Sequence, residues 1–164
     1  MKRKLTLVLT VATVTALGVA LVLGAAATAA DPAPVPTVTR EVLSATKVPS
    51  TPGYTLYLLR TTAMPGAPLA KHYHPGTQDV YILSGATSYT VFKGSARIYR
   101  GPADKVTKPV KVISAGHTGT LRAGDWFVET PSLVHAAQVT STGPLVVLQS
   151  GLLKTGEPLA VPVP

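Results

Sequence analysis

Cysteine is absent from the 164-residue chain, and its absence excludes disulfides, thiolate metal ligands, thiol nucleophiles and a lipid-modified amino-terminal cysteine. Aromatic residues make up only 5%, acidic residues number seven and histidines four, so any chemistry that needs carboxylate or imidazole has few candidates. Beyond residue 31 no segment keeps a helical period, which excludes an all-α or alternating α/β domain. Nor is there a dense basic run with interleaved aromatics, so nucleic acid is not expected as a partner.

What is present begins with an export signal. Lys2-Arg3-Lys4 precedes an apolar run from Leu5 to Ala27, and Ala27-Thr28-Ala29 offers a small-residue cleavage site. Residues 1–30 therefore read as a secretory signal peptide, and the protein as secreted or otherwise extracytoplasmic. The run also approaches membrane-spanning length, so an uncleaved N-terminal membrane anchor is the competing reading and the one route to membrane association. Without its three leader cations the chain has twelve basic and seven acidic residues, a net charge of +5 spread thinly along it. That charge implies no more than mild attraction to anionic ligands.

Residues 31–41 form a proline-rich spacer, opened by Asp31-Pro32-Ala33-Pro34-Val35-Pro36, in which alternating prolines disfavour sheet pairing. From Val42 short runs rich in Val, Leu, Ile, Thr and Tyr alternate with turn signals such as Pro65-Gly66, Pro75-Gly76, Ser84-Gly85 and Lys93-Gly94. Many short strands at close spacing predict an all-β sandwich or closed barrel over residues 42–155, and residues 156–164 read as a proline-spaced tail.

Three of the four histidines fall into one pattern. His72 and His74 share a face of an extended strand, and Gln78, an even number of residues on, joins them if the strand keeps register. His135 answers from far downstream. The spacing Gly66-x5-His72-x-His74-x3-Gln78-x6-Gly85, followed by Gly124-x6-Pro131-x3-His135, resembles the two motifs of the cupin superfamily, over about residues 53–153. The resemblance implies a double-stranded β-helix, that is a jelly-roll β-barrel, with a metal pocket in its mouth.

The pattern departs from the family in places. Gln78 stands where the family has glutamate, Ser132 replaces a motif glycine, Val139 replaces an asparagine, and Pro131 is one place late. Asp79 meets a looser motif spacing but falls on the opposite strand face, so Gln78 is assigned to the pocket. Imidazoles suit iron, manganese, nickel, copper or zinc. The expected centre is thus one divalent transition metal held by His72, His74 and His135, with Gln78 as a fourth partner, either a weak ligand or a support behind the ligands.

By resemblance to quercetinase-like cupins, the leading expectation is an exported metal-dependent dioxygenase acting on a small oxygen-rich organic molecule. The alternative is a non-catalytic cupin that binds a small ligand or a metal. Resemblance also implies a homodimer formed through outer strands. His117 reads as a loop histidine, Asp125 as a turn residue, and Lys71 and Arg60 as solvated charges able to attract an anion.

Overall fold

The computed structural model describes residues 35–164, so the leader and the first residues of the spacer lie outside the described residues. In chain order the strands are β1 Val38–Lys47, β2 Tyr54–Ala63, β3 Pro68–Tyr73, β4 Gly76–Ser84, β5 Ala86–Lys93, β6 Ser95–Arg100, β7 Lys111–Ser114, β8 Thr118–Arg122, β9 Asp125–Glu129, β10 Val134–Val139, β11 Leu145–Lys154 and β12 Val161–Pro162. The described residues contain no helix. Side chains alternate between buried and exposed along β4, β5, β9 and most of β11, as a sheet with one wet and one dry face requires.

The strands form two antiparallel sheets, ordered β1-β2-β11-β4-β9-β6-β7 and β12-β3-β10-β5-β8. Their pairing is nested: β2 with β11, β3 with β10, β4 with β9, β5 with β8 and β6 with β7. This is one long hairpin, tipped by β6 and β7, wound into a jelly roll as its strands pass between the two sheets. The inner faces meet in a core that includes Val80, Ile82, Val91, Ile98, Phe127 and Leu145. Each such fully buried side chain contributes about 1.5–3 kcal/mol of transfer free energy.

Winding the hairpin places the two sequence motifs side by side. The β3–β4 arm, with His72, His74 and Gln78, lies along the β9–β10 arm, with His135. Gly76 lets the start of β4 lie close against β11, because a Cβ there would collide with the Leu152 carbonyl.

At both ends the chain differs from its sequence reading. Strand β1 starts at Val38, inside the stretch read as spacer, so the barrel begins before Val42. All of β1 is exposed, and it therefore lacks the buried stripe that marks a strand. The tail likewise adds β12 beside β3, with Val161 opposite Tyr73 and Pro162 opposite His72. Proline is tolerated at this sheet edge because β12 has no further neighbour to serve.

Candidate metal centre

His72 and His135 lie directly opposite each other on β3 and β10, and His74 follows just beyond the end of β3. Their ring centroids are separated by 4.3 Å (His72–His135), 4.9 Å (His72–His74) and 5.5 Å (His74–His135). All three are buried, and each offers a ligand atom within 4.8 Å of the others'.

A carboxylate shares this space. Glu129, 3% exposed at the end of β9, places Oε2 3.2 Å from His74 Nε2 and Oε1 3.1 Å from His135 Nε2. Each oxygen also accepts one neutral hydrogen bond: Gln78 Nε2 donates to Oε2 at 2.6 Å, and the Tyr89 hydroxyl donates to Oε1 at 2.8 Å. Gln78 and Glu129 face each other directly across β4 and β9. Thus Gln78 enters the cluster as expected, but its amide holds a carboxylate supplied by the neighbouring strand. Asp79 is exposed and lies outside the cluster.

The histidine tautomers follow from their outer contacts. His72 Nδ1 lies 2.6 Å from the Ala70 carbonyl and His74 Nδ1 2.6 Å from the Leu159 carbonyl. A carbonyl only accepts, so both Nδ1 atoms carry the proton and donate it, leaving an Nε2 lone pair for the cluster. Such an outer hydrogen bond fixes ring orientation and raises ligand basicity in metal sites. Tyr89 stacks on His135 with centroids 4.9 Å apart, fixing the third ring.

Burial and charge set the protonation of these groups. His72 is pushed down to about 4, first by burial and then by the neighbouring His135, so it is neutral near pH 7. Burial also lowers His135, against the opposing pull of Glu129. For Glu129 burial acts to raise the pKa. His135 and His74, together with the hydrogen bonds from His74 and Gln78, overcome that and hold the carboxyl well below its usual range. Tyr89 is raised well above its ordinary value by burial and by Glu129, and remains a phenol donor.

His74 Nε2 and the ionised Glu129 carboxylate, 3.2 Å apart, share a proton or a cation, and His135 Nε2 faces the other oxygen at 3.1 Å. Donors about 2.0–2.1 Å from a shared ion, at angles of roughly 90–109°, lie about 2.9–3.4 Å from one another, which matches these separations. The buried side-chain atoms without a hydrogen-bond partner, among the described residues, are Gln78 Oε1 and His135 Nδ1, and both belong to this cluster. The three imidazoles therefore fit a divalent ion, and the Glu129 carboxylate lies close to two of them.

No protein-family model matches the chain, and no curated protein matches it in sequence. Solved structures do resemble it. The polyketide cyclase RemF from Streptomyces resistomycificus aligns over 77% of this chain and 70% of its own, with a TM-score of 0.50 and 13% identity. A cupin 2 domain-containing protein from Halorhodospira halophila covers the same shares at a TM-score of 0.49 and 12% identity. KdgF from Halomonas sp. covers 72% of this chain and 81% of its own at 0.47 and 18%. The chain shares its fold with RemF. Identities this low speak to the fold alone, and in this chain the two motifs meet at His72, His74 and His135, as the resemblance implied.

Other residues of the chain take structural roles. Asp125 closes its turn by accepting from Arg122 N at 2.9 Å, and it also accepts from Arg100 Nε at 2.7 Å. Arg60 pairs with Glu41 on the exposed side of β1 and β2, and Lys71 lies 5.4 Å from the Phe92 ring centroid. His117 is exposed between β7 and β8. Glu129 was missed in the sequence. Its signal was the alternation Asp125, Phe127, Glu129, which puts an acid on the same strand face as a core phenylalanine.

Proposed function

We propose that this protein is an exported metal-dependent cupin that oxidises a small oxygen-rich organic molecule with dioxygen, in the manner of a dioxygenase. One observation carries the reading: an ionised, buried Glu129 held between the Nε2 atoms of His74 and His135, with His72 alongside. These four residues would hold a first-row divalent ion, which when bound supplies Lewis acidity and one-electron chemistry. Glu129 offsets one of its two positive charges. Tyr89 and Gln78 hold that carboxylate in place, and the surrounding core keeps bulk water from the donors. The leader at residues 1–30 supports export.

A second reading, non-catalytic binding of a metal or small ligand, is favoured by the engagement of both Glu129 oxygens. With each oxygen already accepting a hydrogen bond, the cluster has no spare carboxylate to act as general base. Metal analysis of chelator-free protein, followed by oxygen-electrode assays with catechols, flavonols and β-diketones, separates the two. Near-stoichiometric metal with substrate-dependent oxygen uptake supports the enzyme. Metal with no uptake across the panel supports the binder, and absence of metal removes both metal-based readings.

A further inference from the structure

Arg40 is a cation on the inner side of the barrel wall. Directly paired residues of neighbouring strands share a sheet face, and Arg40 on β1 lies opposite Thr61 on β2, which is 2% exposed. Its side chain therefore stands on the core face, whereas the adjacent Glu41 pairs with Arg60 on the other. Arg40 lines a cleft of about 350 Å³ together with Val38, Leu69, His72 and Pro162. The cleft thus reaches one of the three clustered imidazoles.

Although the residue as a whole is exposed, burial lowers its pKa and the charge of Glu129 raises it. Among the described residues no carboxylate forms an ion pair with it within 4.0 Å. Glu129 is already committed to Gln78, Tyr89 and two histidines. A partly desolvated guanidinium without an anion is a binding group without its ligand.

We propose that this cleft receives a small organic carboxylate, with Arg40 taking the carboxylate and the body of the molecule directed toward His72. The planar guanidinium fork matches a carboxylate through two parallel hydrogen bonds. Val38, Leu69 and Pro162 add apolar wall, which suits an organic body and not a bare inorganic anion. Lys71 also lines the cleft, with its ammonium 5.4 Å from the Phe92 ring centroid. The inference deepens the proposed function by naming a substrate class, and rests on that reading only in placing the reacting end near the metal.

The test uses benzoate, with benzamide as its neutral counterpart and inorganic phosphate as a competing anion, followed by amide NMR shifts on chelator-treated protein. Saturable benzoate binding is expected at the amides around Arg40 and His72, with benzamide and the R40Q variant each weaker by about tenfold and R40K intermediate. Metal content of R40Q should equal that of the parent. Equal binding of benzoate and benzamide, unchanged binding in R40Q, or displacement by phosphate at equal affinity would each overturn the inference. Should R40Q fail to fold, the benzamide and R40K comparisons decide it. Arg40-dependent benzoate binding in a protein that retains no metal would uphold the cleft and sink the metal-dependent function. Full metal with no preference for the carboxylate would do the reverse.

Discussion

Gln78 and Glu129 lie directly opposite each other on β4 and β9, and the Gln78 amide donates to Glu129 Oε2 at 2.6 Å. The carboxylate expected on the first motif's strand is thus supplied one strand over, and the amide at the motif position steadies it. Exchanging the two tests the arrangement. Glu129→Gln should weaken metal retention by about 10–100-fold, the scale seen when a partner in a metal site is lost. Gln78→Glu should also weaken it, because two buried carboxylates at hydrogen-bond distance cannot both stay ionised. The double exchange should recover part of the loss, measured as the coupling term of a double-mutant cycle in metal titrations. A Gln78→Glu variant that binds metal more tightly than the parent would assign the ligand role to position 78.

The three histidines were legible because a strand's two-residue period and the motif spacing act within short stretches of chain. The alternation through Phe127 marks Glu129 only as an acid on a core face; that it meets the histidines depends on the register between β4 and β9, a long-range fact. An all-β sandwich or barrel was legible from many short runs and turn signals, and the jelly roll from the family resemblance. Strand β1 and the tail were not: β1 has no buried stripe, and β12 is short and proline-flanked, so each is held by its neighbours and not by its own pattern.

The C-terminal tail orients one ring of the site through a carbonyl. Leu159 accepts the His74 Nδ1 proton at 2.6 Å, so ending the chain at Pro158 should leave that ring free to turn. Metal affinity is expected to fall by about 10–100-fold while far-UV circular dichroism remains that of a β-barrel. Unchanged affinity in isothermal titration would show that the tail does not orient His74.

Gly151 on β11 leaves room for Gln78. A Cβ at this position would lie 3.1 Å from Gln78 Cβ and 3.4 Å from its Oε1, tighter than comfortable packing. Gly151→Ala should push the amide off Glu129 and cost about 1–3 kcal/mol in stability through overpacking, measurable by denaturant unfolding. Metal affinity should fall with it. A loss of stability alone would separate packing at Gly151 from orientation of Glu129.

Stability of the metal-free protein should fall on acidification from pH 6.5. His72 titrates near 6.5 when unfolded and near 4 when folded, so between those values the unfolded chain holds more protons. Its contribution is fully present above pH 6.5 and is lost as pH falls toward 4, on the order of 3 kcal/mol. Glu129, held below the ordinary carboxylate range, adds a further loss as pH falls below about 4.5. Thermal unfolding of His72→Asn across this range should show a flatter limb between pH 6.5 and 4, and an unchanged slope would remove His72 as its source.

Anomalous diffraction from crystals of protein purified without chelator, collected above and below the absorption edge of the bound metal, tests the centre most directly. The account predicts one peak per chain, within bonding reach of the Nε2 atoms of His72, His74 and His135 and of a Glu129 oxygen. No peak there, or a peak bound by the histidines with the Glu129 carboxylate turned away, would contradict it.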